Sequence, residues 1–281
     1  MVRESRYVKI ARVAYHLVSK ELPLYSHPKS PHRYTFPQLV SCVLMMFYMG
    51  LSYRDMEEWL LATDKVCKEL KLKKVPDHST LCRTYRKITK AYLDKLLRRL
   101  LEMLDIEEEF ICADSTGFRE SNGSAYYLSR AGRRFKFWRK GVYAVGCRSQ
   151  MILAFLEGKG PASDTPFLPR IKRKVSRWGK KLKGRRAWML IADRGFDGKM
   201  IQEGDLIPPI RRGGAISDPP RRMRAALVDA ARSDGIYGQR WKAETVISVI
   251  KRKFGDSIRS RVGMLKRREV YVLGLVYNLH R

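Results

Sequence analysis

Two aspartates close apolar runs in the same way. "FICAD" delivers Asp114 and "WMLIAD" delivers Asp193, and each run stops at Ala-Asp before entering a turn. In open α/β sheets, groups at the carboxyl ends of strands line the ligand crevice. Neighbouring strands lie about 4.8 Å apart, so on adjacent strands the two carboxylates would converge on one ion. With no His or Cys at ligand spacing, oxygen ligands point to a hard cation, Mg²⁺ or Mn²⁺. The same residues also have a purely structural reading, in which each Asp caps a turn or the next helix.

A third acid stands out later in the chain. "YGQRWKAETVISVIK", residues Tyr237 to Lys251, holds one carboxylate, Glu244, among Arg240, Lys242 and Lys251. On a helix, Arg240, Glu244, Ser248 and Lys251 share one face, with Tyr237 one turn earlier. An exposed i, i+4 pair between Arg240 and Glu244 contributes only a few tenths of a kcal/mol, and it leaves Tyr237 and Lys251 unexplained.

The elements that must position these residues fall into two regions. Residues 1–105 read as three helices with short connections: "FPQLVSCVLMMFYMG", "SYRDMEEWLLATDKVCKEL" with Ser52 as its cap, and "PDHSTLCRTYRKITKAYLDKLLRRLLEML". In the third, Leu81, Tyr85 and Ile88 recur at helical spacing while Arg83, Arg86, Lys87 and Lys90 lie elsewhere on its surface. That pattern suits a helix-turn-helix with this helix on DNA, or a helical bundle with a solvated charged face. Residues 106–281 alternate differently. Short apolar runs ("FICADST", "GVYAVGCRS", "MILAFLE", "AWMLIADRG", "DLIPPI") read as strands. Helices are expected from near Asp164, over Asp197–Glu203, Arg221–Arg232, Gln239–Phe254 and Glu269–His280. The order describes an α/β layered domain.

Charge narrows the partner class. The 281 residues carry 58 Lys and Arg against 28 Asp and Glu, a formal charge of +30. Spread through foldable sequence, this excess suits a surface that tracks a phosphate backbone. "IKRKVSRWGKKLKGRR", Ile171 to Arg186, has nine cations and no acid. Its Lys172, Arg173, Lys174, Lys180 and Lys181 are read as DNA contacts, because clustered like charges repel unless phosphate is present. "RRFKFWRK", Arg133 to Lys140, is read first as a strand burying Phe135 and Phe137. The five scattered cysteines read as buried thiols in a reducing cytoplasm. The longest apolar stretch, Leu39 to Leu51, is too short for a bilayer span, which leads to the expectation of a soluble, cytoplasmic protein without a membrane partner.

Taken together the motifs resemble the insertion-sequence DDE transposases with the signature Tyr-x2-Arg-x3-Glu-x6-Lys, met here by Tyr237, Arg240, Glu244 and Lys251. "ADSTG" and "ADRGFD" are similar to the family's two acid motifs, and "SYRDMEEWL" and "PDHSTLCR" look like phrases of its DNA-binding region. The resemblance implies an RNase H-like mixed sheet flanked by helices over 106–281, preceded by an all-α DNA-binding region over 1–105. It further implies that Asp114, Asp193 and Glu244 hold two divalent ions, Mg²⁺ or Mn²⁺, for cleavage and joining of DNA. Arg240 and Lys251 would grip phosphates, and Tyr237 would touch the backbone near the cleaved end. The implied partners are double-stranded transposon ends and target DNA, with a homodimer at synapsis and nucleoid association when bound. Only 50 residues separate Asp193 from Glu244, which leaves no room for the large β-rich insertion that some relatives carry. Two other readings stand beside it: a nuclease on the same fold without strand transfer, and a catalytically inactive DNA-binding regulator.

Overall fold

The computed structural model describes residues 4–120, 130, 132, 138–198, 200–211, 216 and 218–281. The chain divides into two compact units, residues 1–104 with 260–281, and residues 105–259.

The first unit is helical. Its elements are α1 (Arg6–Glu21), α2 (Phe36–Met49), α3 (Tyr53–Leu61), α4 (Asp64–Glu69), α5 (His78–Lys87) and α6 (Lys90–Met103). The most apolar is α2, started by a capping box between Thr35 and Gln38 and ended by Gly50 at φ 70°, a left-handed conformation that glycine adopts without a Cβ clash. Helix α1 packs on α2, and so does α5. Among the described residues no single helix is long and apolar enough to cross a membrane.

The structure differs here from the three expected helices. Helix α1 lies outside all three, α4 separates from α3, and the third breaks at Ile88. There the backbone turns extended, at ψ 115°, and the Thr89 side chain accepts the Tyr92 N–H to start α6. A Thr that caps locally competes with continuing the helix. The C-terminal helix, numbered α10 below (Gly263–His280), packs on α1, α2 and α6 and so falls in the same compact unit as they do. The Tyr85 hydroxyl, buried on α5, donates to the Leu265 carbonyl at 3.1 Å, and Arg268 donates to the Arg86 carbonyl at 2.7 Å. These bonds fasten the last helix to a segment far from it in sequence.

The second unit is a four-stranded mixed sheet flanked by helices, as expected of an RNase H-like transposase fold. Strands β1 (Phe110–Arg119), β2 (Trp138–Gly146) and β3 (Ile152–Lys159) form an antiparallel meander, and β6 (Met189–Ala192) pairs parallel with β1, giving the order β3-β2-β1-β6. Helix α7 (Leu168–Val175) covers β3, α9 (Trp241–Phe254) packs on β1 and β2, and α8 (Pro219–Ser233) contacts the turn preceding α9. Residues 133–137 of the Phe-rich basic segment lie outside the described residues, and Trp138 opens β2.

Two local expectations are corrected. "DLIPPI" forms only an isolated bridge, Leu206 to Ile191, because Pro208 and Pro209 carry no N–H to extend a ladder. No helix forms among the described residues of Asp197–Glu203. The Asp197 carboxylate is drawn instead into a tertiary cluster with Arg221, Arg224 and the Ile210 N–H.

Candidate active site

The register of the parallel pair sets the geometry. Ala113 of β1 stands opposite Ala192 of β6, so the next residues, Asp114 and Asp193, follow in neighbouring positions. Strand β6 ends there, but the turn expected after Asp114 is corrected, because β1 stays paired with β2 through Asp114 opposite Tyr143 and on to Arg119. Asp114 Oδ1 accepts the Ser115 N–H at 2.8 Å. Asp193 Oδ1 accepts the Gly195 N–H at 3.0 Å and caps the short turn Arg194–Phe196. The capping reading is therefore realised in Asp193, and it uses only one of that side chain's oxygens. Burial pushes the Asp114 carboxyl up to about 6, with Arg240 opposing and with Asp193 and Glu244 adding to the rise. A buried carboxylate facing two others is hard to ionise, as desolvation and like charge both disfavour the anion.

Glu244 enters from α9, positioned by the 3₁₀ turn Tyr237–Arg240. Both acid-bearing strands hold that turn. The Tyr237 hydroxyl donates to the Ala192 carbonyl at 3.3 Å, one residue before Asp193. The Cys112 thiol, two residues before Asp114, donates to the Gln239 carbonyl at 3.4 Å. The Tyr237 ring also lies under the Arg232 guanidinium, 5.2 Å from it. The Glu244 carboxylate, half exposed, is paired with Arg240 at 2.6 Å. Among the described residues no three His, Cys, Asp or Glu side chains stand close enough to hold a metal together. The three acids thus share one neighbourhood without closing on one point.

The cations singled out from the sequence separate into two kinds. Lys172 is buried and ion-paired to the fully buried Asp205, which also takes Arg186. The fold therefore turns this ammonium inward, where Asp205 is shared between it and Arg186, and not towards solvent. Lys174 is half-buried, its ammonium 5.8 Å from the Phe155 ring. Arg173, Lys180 and Lys181 are exposed. Lys181 sits on a two-strand hairpin, β4 (Lys181–Leu182) with β5 (Arg185–Arg186). Its connecting Lys183 and Gly184 both have positive φ, the requirement of a tight two-residue hairpin turn. The basic run is therefore a helix and a hairpin, with part of its charge turned inward. Lys251 lies on α9 with its ammonium 5.9 Å from the Phe118 ring. In the helical unit Arg83, Arg86 and Lys87 are exposed on α5, and the face opposite them buries Leu81, Thr84 and Tyr85.

Sequence reasoning missed three residues beside the acids. Asp164, expected only at a helix start, accepts Ser115 Oγ at 3.0 Å and Lys140 Nζ at 2.8 Å. Lys140 closes the basic segment "RRFKFWRK", but nothing there marks a partner 24 residues away. The Ser-Thr that follows Asp114 was the available hint.

The family model for the transposase DDE domain matches residues 105–279. An uncharacterized protein of Aquifex aeolicus is 29% identical over 280 residues, covering 91% of this chain and 80% of that relative. With the sheet order and the neighbouring aspartates described above, the match over more than half of its length means that the chain belongs to the DDE transposase family.

Proposed function

We propose that the chain is a metal-dependent transposase that binds the terminal inverted repeats of its element, cleaves DNA there and joins the 3′ ends to a target, acting as a homodimer at synapsis. The observation that carries this reading is the β1–β6 register, which sets Asp114 of β1 beside the end of β6 where Asp193 follows, with Glu244 near enough to raise the Asp114 carboxyl.

The chemistry of the donors fits a hard divalent ion. The donors are all carboxylates, and Asp114 and Asp193 each keep an oxygen that no hydrogen bond among the described residues engages. Burial among like charges leaves Asp114 in a state that a cation relieves. Asp114, Asp193 and Glu244 would hold the ions, and Glu244 would exchange Arg240 for one of them. Two Mg²⁺ or Mn²⁺ ions supply activation of the attacking water or 3′-hydroxyl and charge stabilisation at the leaving oxygen. Arg240, released from Glu244, then pairs with DNA phosphate beside Lys251. Tyr237 acts on the protein side, holding the strand end of Asp193 through Ala192, in addition to any contact with the DNA backbone. In the helical unit the exposed cations of α5 track the backbone of the repeat, and Lys180, Lys181 and Arg173 do so in the second unit.

A second reading, a DNA-binding regulator without chemistry, draws on the Arg240–Glu244 pair, which engages the third acid. An assay of end cleavage and joining with Mg²⁺ or Mn²⁺ separates the two. Loss of joining in each of Asp114→Asn, Asp193→Asn and Glu244→Gln, with end binding retained, supports transposition. Cleavage without joining by the parent indicates a nuclease. Binding without either activity in the parent indicates the regulator.

A further inference from the structure

We propose that Asp164, neutralised by Lys140, is a positioning residue that sets the separation of Asp114 and Asp193. The inference rests on the metal-dependent reading above and assigns it a component outside the three acids.

Asp164 lies in the turn between β3 and α7, where it meets both acid-bearing segments. One oxygen accepts Ser115 Oγ at 3.0 Å, and the Ser115 N–H is the donor that orients Asp114, at 2.8 Å. The same Asp164 oxygen is 3.4 Å from where a Cβ on Gly195 would stand, and Asp193 Oδ1 is 3.1 Å from that point. A Cβ at 195 would crowd Asp193 Oδ1 and reach Asp164 Oδ2 at ordinary contact distance, so both carboxylates lie against the same side of Gly195. The next residue continues the contact, as Thr165 Oγ1 donates to the Gly195 carbonyl at 3.3 Å and to the Asp197 carbonyl at 3.0 Å. One turn therefore bonds to the residue after Asp114 and to the loop after Asp193.

Charge explains Lys140. Asp164 would add another anion beside Ser115 and Gly195, close to the two aspartates. Its other oxygen takes the Lys140 ammonium at 2.8 Å, inside the protein, with only 8% of the Lys140 side chain and 15% of Asp164 exposed. Lys140 also donates to the Ala162 carbonyl. A buried pair of this kind holds its partners in one geometry, and removing one member leaves the other uncompensated. Residues that orient metal-binding carboxylates from behind typically change affinity or activity 10- to 100-fold when replaced.

The test measures Mn²⁺ binding to the full chain without DNA, by electron paramagnetic resonance of the free ion, beside melting temperature and end cleavage. Asp164→Asn is expected to weaken Mn²⁺ binding about 10- to 100-fold and to lower kcat for cleavage, with affinity for end DNA in EDTA unchanged. Ser115→Ala, which removes one hydrogen bond and leaves the Lys140–Asp164 pair in place, should shift Mn²⁺ affinity in the same direction by a smaller factor. It serves as the readout if Asp164→Asn does not fold. Asp193→Asn is the control for the site itself. The proposal is overturned alone if Asp193→Asn loses Mn²⁺ while the folded Asp164→Asn and Ser115→Ala proteins bind it within twofold of the parent. Parental Mn²⁺ binding by Asp193→Asn overturns the metal site and this proposal together.

Discussion

Asp205 and Asp114 are acids drawn into the same unit, and the fold surrounds the first with cations and the second mostly with acids. Asp205 is fully buried and takes Lys172, Arg186 and the Gln202 N–H. Burial pulls the Lys172 ammonium below its usual value, and Asp205 opposes that pull. Asp114 receives one backbone N–H and lies near Asp193 and Glu244, with Arg240, itself paired to Glu244, as the opposing cation. The first arrangement is complete within the chain and fastens the segment that follows β6 to α7 and to the basic hairpin. The second is incomplete in charge and favours an added cation. The two acids differ in what the fold supplies around them, and that difference separates a structural carboxylate from a candidate ligand.

The contrast can be broken most sharply by chemistry. Asp193→Asn should reduce end cleavage about 10³-fold or more, since metal ions contribute several kcal/mol to phosphoryl chemistry, while binding to end DNA changes little. Asp205→Asn should do the reverse, lowering stability by about 3–5 kcal/mol through two stranded cations, measured by denaturant titration, with cleavage per folded molecule retained. If both substitutions acted alike, the distinction between the two acids would fail.

Stability against pH sharpens it further. Asp114 has a folded-state value of about 6, above the unfolded value near 3.9. The native state therefore holds the proton more tightly, and the associated stability is full below about pH 4 and lost as pH rises through 6. Metal-free protein should lose on the order of 2 kcal/mol across that window, and Asp114→Asn should remove the loss. Saturating Mg²⁺ should also oppose it. A metal-free stability that climbed between pH 4 and 6 in proportion to Asp114 ionisation would contradict the assignment.

The smallest expected effect concerns the cations. Replacing Lys181 or Arg83 by Ala should lower the slope of log K against log salt by about one for each DNA phosphate that is no longer neutralised. Lys172→Met should leave that slope unchanged and reduce stability, because its charge already belongs to Asp205.

What was legible in the sequence follows the range of the interactions. The apolar runs into Ala-Asp and the spacing from Arg240 to Lys251 are local patterns, and β1, β6 and α9 form where they indicate, although β1 continues past Asp114 to Arg119 because β2 pairs with it along that length. Longer-range partnerships were not legible. Nothing near Lys172 announces that Asp205 will meet it. Ser115 and Asp164 are 49 residues apart, and α10 joins the helical unit through Tyr85 and Arg268, bonds that span 180 and 182 residues. The break after Lys87 shows the opposite failure: helical periodicity continues through a point where the Thr89 cap ends one helix and starts another.

The most direct measurement is the anomalous diffraction of Mn²⁺ in crystals of the protein with its end DNA. The account predicts a peak about 2.0–2.3 Å from carboxylate oxygens of both Asp114 and Asp193, with Glu244 turned from Arg240 towards the ions. Manganese bound elsewhere, or an Asp114–Asp193 pair that stays metal-free while DNA is bound, would contradict it.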